Sequence, residues 1–181
     1  MKNKNPIIRF FKHMFSGAWQ VRGHFSDAAL HNIEQAIATS EKTHDGEIRF
    51  AVEAGLHPYE ILFKKTPKKR AIELFGRLNI WDAEQNNGVL IYLLLADKDV
   101  EIVADRGIHQ YVGNAGWERI CQQMELKFRG GEFEAGVLQG IAEIGTHLQA
   151  NFPSGVTATK AIKKPAQGKK KNEIPNKPLI L

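Results

Sequence analysis

The chain has 181 residues, of which 43% are hydrophobic and 25% charged, which suits one ordinary domain with shorter segments at its ends. Its single cysteine, Cys121, excludes an intramolecular disulfide and a cysteine-rich metal site. No stretch approaches the roughly 20 apolar residues of a membrane-spanning helix, and the start lacks the apolar core of a secretory signal. We therefore expect a cytoplasmic protein.

The formal net charge of +5 is concentrated at the two ends. Residues 1–24 contain basic residues and no acidic one, and residues 154–181 contain seven lysines against Glu173 alone. A segment rich in Lys, Pro and Gly cannot bury enough apolar surface to offset its ordering entropy. We predict a basic amphipathic segment at 1–24, a folded domain at 25–153 and a disordered basic tail at 154–181.

The N-terminal segment interleaves apolar and basic side chains. At helical spacing, Ile7, Phe11, Met14 and Phe15 share one side of a helix. Such a helix either docks its aromatic residues on its own domain or contacts a protein partner or an anionic membrane surface. For external contact the candidate residues are Arg9, Phe10, Phe11, Lys12, Phe15 and Trp19. The Lys-rich tail would add attraction to an anionic leaflet or to nucleic acid, although the sequence offers no base-stacking platform.

The folded domain is predicted to begin with a helix and a strand. Ser26 is a good N-cap for a helix that runs to about Lys42. The strand at residues 47–54 alternates apolar residues with charged ones, namely Glu47, Arg49 and Glu53. We therefore expect this strand to have one buried face and one solvated face.

A second helix and a hairpin follow. Thr66 is an N-cap and Pro67 a first helical position for a helix that runs through Arg77. Its predicted core face consists of Ile72, Leu74 and Phe75. Residues 89–95 are apolar on both faces, which is typical of a central strand covered by helices on both sides. Residues 100–104 follow so closely that they must return as its antiparallel partner.

Two further helices complete the domain. Asn114 is the predicted N-cap of a third helix, and Gly130 and Gly131 end it. The predicted buried positions are Trp117, Ile120, Met124 and Phe128 in the third helix, then Phe133, Val137, Ile141, Ile144 and Leu148 in the fourth. The first strand, the second helix and the central strand form one crossover, so the two strands should be parallel and the crossover right-handed. Four helices around a small mixed sheet predict an α/β fold, a three-layer α/β/α sandwich.

Five stretches of the domain carry a recognisable pattern, namely THDGEIRFAVE, RAIELFGRLNIW, QNNGVLIYLLL, VEIVADRGI and FRGGEFEAGVLQGI. Together they resemble the TPM domain family, in its short bacterial branch without a signal peptide or transmembrane helix. The resemblance covers roughly residues 26–150 and implies an α/β/α sandwich. Relatives include calcium-binding proteins, an acid phosphatase and accessory subunits of membrane receptors. This chain departs from the usual Asp-Asn-Gly at residues 86–88 and from the usual Gly-x-Gly-Leu-Glu at residues 105–109.

A candidate site follows from the predicted hairpin. The start of the central strand should lie beside the end of its antiparallel neighbour, at one rim of the sheet. Carboxylates and amide oxygens gathered there would suit calcium or magnesium, and the predicted ligands are Asp82, Glu84, Asn86, Asn87 and Asp105. Arg106 and His109 are further candidates at this rim. The alternative is that the asparagines form an ordinary turn and Asp105 a surface ion pair with Arg106.

The sequence assigns no catalytic residues. It contains no Gly-x-Ser-x-Gly elbow and no glycine-rich phosphate loop, and Cys121 falls inside a predicted helix as a packing residue. The leading interpretation is a non-catalytic accessory or interaction protein, held at the inner surface of a membrane by its basic ends. The alternatives are a divalent-metal-dependent phosphatase that uses the rim carboxylates and a nucleic-acid accessory protein.

Overall fold

The computed structural model describes residues 6–83, 85–154 and 174–181. Within these ranges the helices are α1 (Pro6–Met14), α2 (Ala18–His24), α3 (Asp27–Ser40), α4 (Pro58–Leu62), α5 (Pro67–Arg77), α6 (Arg106–Arg129) and α7 (Phe133–Asn151). The strands are β1 (Glu47–Glu53), β2 (Gly88–Leu94), β3 (Asp99–Ala104) and β4 (Leu179–Ile180).

The four strands form one mixed sheet in the order β3-β2-β1-β4. Strands β1 and β2 are parallel, and β2 and β3 are antiparallel, so the predicted crossover direction and hairpin are confirmed. One apolar cluster joins a face of the sheet to α3, α6 and α7, and a second joins the other face to α4 and α5. This arrangement confirms the predicted three-layer α/β/α class. All seven residues of β2 are buried, as expected for the covered central strand.

The predicted helices α3, α6 and α7 have the expected packing. Ser26 caps α3, and its Oγ accepts a hydrogen bond from the Ala29 N–H at 3.1 Å. The helix buries Ile33 and Ile37. Every position predicted as buried in the third and fourth helices is buried in α6 and α7.

The start of α6 differs from the prediction. The helix begins at Arg106, where the Asp105 side chain accepts the Arg106 N–H at 2.7 Å, so residues 107–109 are helical instead of forming a loop. Gly113 interrupts the helix with φ 67° and ψ 172°, a backbone conformation that glycine adopts without steric cost. Asn114, the predicted N-cap, directly follows this interruption, so the sequence signal marked the kink and missed the preceding turns.

The charged face of β1 is not solvated, contrary to the prediction. All seven residues of the strand are buried, because α5 and the C-terminal residues cover the face that carries the charges. Arg70 from α5 binds the Glu53 carboxylate with both ends of its guanidinium, from Nε to Oε2 at 2.9 Å and from Nη2 to Oε1 at 3.0 Å. The Tyr92 hydroxyl donates to Glu53 Oε2 at 2.6 Å. Charge pairing therefore replaces solvation on this face.

The orientation of α5 also differs in part from the prediction. Thr66 caps the helix as expected, since its Oγ1 accepts the Lys69 N–H at 3.2 Å. Leu74 is buried as predicted, together with Ala71, but Ile72 is 53% exposed. Residues 70, 71 and 74 share one side of a helix, so directing Arg70 at Glu53 turns Ile72 towards solvent.

The prediction that residues 154–181 are disordered is wrong for residues 174–181. Strand β4 pairs with β1 through Ala51–Leu179 and Val52–Ile180, and Ile174 is buried in the second apolar cluster. The Arg49 guanidinium donates to the carbonyl of Pro175 and, at 2.7 Å, to that of Lys177. The Lys-rich composition concealed the short apolar ending of the chain. Residues 155–173 lie outside the described residues.

Candidate functional site

The structure brings the two halves of the predicted rim together. The Asp105 N–H donates to the Gly88 carbonyl at 2.9 Å, just beyond the β2–β3 pair Val89–Ala104. A Cβ at Gly107 would collide with the Asn86 carbonyl, so the first turn of α6 lies directly against the turn that precedes β2. The predicted proximity of residues 86 and 105 is therefore present in the fold.

A cavity of about 400 Å³ opens at this rim. Its lining residues are Gln85, Asn86, Arg106, Gly107, Gln110, Tyr111 and Phe152. Amide groups, one exposed guanidinium and two aromatic rings line the cavity, and no carboxylate of the described residues belongs to the lining. This chemistry suits a polar or anionic group better than a bare cation.

The predicted metal ligands are dispersed around the rim. Asp105 Oδ2 is buried, and Asn87 is 1% exposed; neither Asp105 Oδ2 nor Asn87 Nδ2 has a hydrogen-bond partner among the described residues. Asp82 is exposed at the end of a short 3-10 turn, and Glu84 lies outside the described residues. In the ranges that the structure describes, no group of three or more His, Cys, Asp or Glu residues could hold a metal ion. The described carboxylates do not by themselves complete a divalent-cation site, and the calcium or magnesium site stays a prediction.

Arg106 and His109 occupy different environments. Arg106 is exposed and lines the cavity, and its contact with Asp105 is made by the backbone N–H. His109 is half-buried, and its Nδ1 accepts the Trp117 Nε1–H at 3.2 Å. His109 therefore helps to fix Trp117 within α6, and the cavity lining does not include it.

The N-terminal helix α1 docks on the domain through its polar side. Arg9 Nε donates to Asp97 Oδ2 at 3.0 Å, and Arg9 Nη2 donates to the Lys65 carbonyl at 3.1 Å. His13 is 3% exposed, and its Nδ1 accepts the Leu56 N–H at 2.9 Å. The ring proton of His13 therefore lies on Nε2, which is 3.4 Å from Asp97 Oδ2.

Because the polar side of α1 is buried, its apolar side faces solvent. Phe11 is 49% exposed, Phe15 68% and Trp19, in α2, 69%. Of the six predicted contact residues, Phe11, Lys12, Phe15 and Trp19 are exposed, whereas Arg9 and Phe10 face the domain. The sequence leaves two alternatives open, and docking of the aromatic residues on the domain holds for Phe10 but not for Phe11, Phe15 or Trp19.

A second short helix, α4, extends this exposed apolar area. It packs against α1, and the rings of Tyr59 and Phe63 lie 4.4 Å apart between their centroids. We define the α1–α4 surface by its exposed apolar side chains, which are Ile7, Ile8, Phe11, Met14, Phe15, Trp19, Tyr59, Leu62 and Phe63. The sequence patterns predict no helix between the first strand and Thr66, so they miss the contribution of α4. The signal was present as an apolar run, YEILF, directly after a helix-starting proline.

Two titratable residues outside these areas have perturbed environments. Burial, with the nearby Asp99 carboxylate, raises the pKa of Glu101 on the edge strand β3 to about 7. Burial raises the pKa of the Cys121 thiol to about 12, which keeps it protonated and agrees with its interpretation as a packing residue.

Comparison with known proteins identifies relatives of this fold. The family model described as TPM domain matches residues 21–147. The chain is similar to the NMR structure of the BA42 protein from the psychrophilic bacterium Bizionia argentinensis, with 27% identity, a TM-score of 0.69 and coverage of 86% of this chain and 94% of that chain. It also resembles the solution NMR structure of the N-terminal domain of a protein from P. gingivalis, with 18% identity, a TM-score of 0.58 and coverage of 72% and 80%. The comparison with curated proteins gives no significant match.

The α/β/α architecture, the apolar central strand and the family match agree with one another. None of the helices in the described ranges is long and apolar enough to cross a membrane. The family model spans well over half of the chain and includes every sheet strand except β4. The chain belongs to the TPM domain family.

Proposed function

We propose that this protein is a non-catalytic accessory protein of the cytoplasm that binds its partner through the α1–α4 surface. The observation that carries the proposal is the inverted orientation of α1. A helix on the surface of a globular protein ordinarily turns its apolar side towards the core, but here Arg9 and His13 face the domain and Phe11 and Phe15 face solvent. Large exposed apolar patches typically mark interaction sites.

The way α1 is attached supports this proposal. Asp97 forms an ion pair with Arg9 and lies beside His13. The side chains of Asp97 and His13 are almost completely buried. Buried charged contacts of this kind fix one orientation of a helix, because leaving any member unpaired carries a large desolvation cost. These polar contacts therefore fix the exposed aromatic residues in an orientation in which a partner can bind them.

Site-specific photocross-linking in cells tests the proposal. A photoreactive phenylalanine analogue at Phe15 or Phe63 should form an adduct with a cellular component. The same analogue at Leu126, which is 61% exposed on α6, is the matched control and should form none. Adducts equally abundant at Leu126, or absent at Phe15 and Phe63, would refute the proposed binding surface.

A second candidate function, a divalent-metal-dependent phosphatase, is favoured by one observation. Asp105, whose buried Oδ2 lacks a hydrogen-bond partner in the described part of the chain, directly precedes Arg106 and Gly107, which line the cavity. A guanidinium suits a phosphoryl group, and an unpaired carboxylate oxygen is free to contact a cation. If this function holds, calcium or magnesium should raise the melting temperature of the wild type and leave that of Asp105→Asn unchanged.

Assays on a simple phosphate monoester complete that test. The wild type should hydrolyse it with added cation, and Asp105→Asn should not. Asp82→Asn is the companion variant, because Asp82 is exposed and belongs to the predicted ligand set. Identical melting curves with and without either cation would eliminate the metal-dependent phosphatase.

A further inference from the structure

We infer that the partner of the α1–α4 surface is an anionic lipid bilayer, on which the protein lies with α1 and α4 along the membrane plane. This inference rests on the proposed function, because it names the partner of the same surface. Helices that lie in a membrane interface insert an apolar side to the level of the acyl chains and place basic side chains near the phosphates. The composition and surroundings of the α1–α4 surface match both requirements.

The apolar requirement is met by rings from three neighbouring segments. Phe11 and Phe15 stack at 6.5 Å between centroids, and Tyr59 packs beside Phe63 on the adjoining helix. Trp19 and Tyr59 are 69% and 63% exposed. Tryptophan and tyrosine are the residues that favour the boundary between acyl chains and headgroups, because each combines an apolar ring with a polar group.

The charge around the surface is basic. Residues 6–24 contain no acidic residue; of their three Lys and Arg side chains, Arg9 is bound to Asp97, and Lys12 and Arg22 are exposed. Lys12 is exposed on α1, and Lys64 is exposed directly after α4. The acidic residue of α4, Glu60, is paired with Lys65 at 2.7 Å, and Lys65 also binds Glu73 of α5 at 2.6 Å. Anionic headgroups would therefore meet a surface of complementary sign.

The first turn of α5 adds a second electrostatic argument. Lys68 and Lys69 are exposed there, at the end of the helix where the macrodipole disfavours cations. Arg70, the third base of this turn, is held by Glu53, whereas Lys68 and Lys69 are exposed, with Lys68 near the Glu101 carboxylate. Phosphate groups beside them would offset the unfavourable placement. The Lys65 carbonyl, two residues before α5, accepts a hydrogen bond from Arg9 of α1, so this turn begins close to α1.

Cosedimentation of the full chain with vesicles tests the inference. We expect binding to vesicles of phosphatidylcholine with phosphatidylglycerol and little binding to vesicles of phosphatidylcholine alone, and we expect salt to weaken it. Phe15→Ser with Phe63→Ser should lower the partition coefficient by about tenfold or more, because two exposed rings are removed from the apolar contact. Lys12→Gln with Lys64→Gln should lower it by about tenfold, since each basic residue near an anionic leaflet contributes several-fold.

The matched control is Leu126→Ser with Arg119→Gln, which removes one exposed apolar and one exposed basic side chain from α6, on the opposite face of the sheet. It should bind like the wild type. Equal binding to both vesicle types, or unchanged binding of the two surface variants, would overturn the inference. No binding of the wild type, together with cellular cross-links from Phe15 to a protein, would overturn the lipid partner and leave the proposed function intact.

Discussion

Glu53, Arg70 and Tyr92 form a buried polar cluster between β1, β2 and α5. Each charged group is satisfied inside the cluster, since the carboxylate accepts from both the guanidinium and the phenol. Burial and the Glu53 charge raise the pKa of Tyr92, so the phenol stays protonated and donates. The hydrogen bond to Glu53 raises the pKa of Arg70, which stays cationic. The contribution of each of the three side chains to stability therefore depends on the other two far more than it would in an exposed ion pair.

Arg70→Met should cost about 3 kcal/mol of the free energy of unfolding, because it leaves the Glu53 carboxylate buried beside an uncharged side chain. Lys69→Met, one residue earlier and exposed, should change it by less than about 0.5 kcal/mol. Urea denaturation of these two variants, of Glu53→Met and of the double variant Glu53→Met with Arg70→Met measures this. The double variant should lose less than the sum of its two single variants, and strict additivity would contradict the coupling.

Glu101 should make stability depend on pH near neutrality. Its folded pKa is raised to about 7, above the unfolded value, so its stabilising contribution is complete at low pH and is lost as the pH rises through about 7. Glu101→Gln should therefore match the wild type at pH 4, below the unfolded pKa, and melt about 2–4 °C higher at pH 8. The control Glu118→Gln, at an exposed position on α6, should not reproduce this difference. A constant offset at both pH values would be inconsistent with the raised pKa.

At the scale of elements, α1 depends on a small number of polar contacts. Arg9, His13 and Asp97 connect the helix to the 3-10 turn that follows β2, and Phe10 adds a partly buried apolar contact. None of the other apolar side chains of α1 belongs to either apolar cluster. Attachment of α1 is therefore easier to weaken than attachment of α3 or α7, whose apolar sides are buried.

Asp97→Ala should detach α1 without unfolding the sheet. The change removes the acceptor of Arg9 and should cost about 2–3 kcal/mol locally. Hydrogen exchange should accelerate over residues 6–14 and at the Leu56 amide, which now donates to His13. Lys12→Ala, on the exposed side of the same helix, should leave exchange unchanged. Protection retained in Asp97→Ala would show that the apolar contacts alone hold the helix.

Periodicity predicted elements well and their surroundings poorly. The spacing of Ile33 and Ile37 and the continuous apolar run of β2 sufficed, because local pattern and burial coincide there. Hydrophobic periodicity did not predict how α1 docks, because a helical pattern distinguishes an apolar from a polar side but does not determine which side faces the domain. The docking side is decided by Asp97, which is 88 residues from Arg9 in the sequence. Long-range charge pairing of this kind leaves no local signal.

At the scale of the whole molecule, the two apolar clusters share one sheet whose edge at β1 is covered by β4. The short strand hydrogen-bonds near Val52, and the same segment buries Ile174 and supplies carbonyls to Arg49. These contacts shield an edge that would otherwise present unpaired backbone groups to other chains. The C-terminal residues thus belong to the folded domain, although their composition predicts disorder.

Removal of residues 174–181 should lower the free energy of unfolding by about 2–4 kcal/mol, because it uncovers apolar surface and leaves the Arg49 guanidinium without its carbonyl partners. The truncated protein should also aggregate at lower concentration. Calorimetry and light scattering measure the two effects. Lys177→Ala is the control, because only the backbone carbonyl of Lys177 contacts Arg49. A truncated protein as stable and as soluble as the control would contradict this role of β4.

The candidate sites were predictable to different extents. The proximity of Asn86 and Asp105 followed from hairpin geometry, since antiparallel pairing places those positions at one rim. The chemistry of the rim did not follow, because the cavity lining includes Gln110, Tyr111 and Phe152, which arrive from α6 and from the end of α7. Which side chains converge on a cavity depends on helix orientation, and single-sequence patterns do not encode it.

The separation of 128 residues between Arg49 and Lys177 has a consequence for biosynthesis. Ribosomes add about 5–20 residues per second, so the outer edge of β1 remains unpaired for on the order of ten seconds before β4 is synthesised. Throughout that interval nascent chains on neighbouring ribosomes meet an open row of amides and carbonyls. Codons that slow elongation between α7 and β4 should therefore reduce the yield of native protein, even though they leave its sequence unchanged.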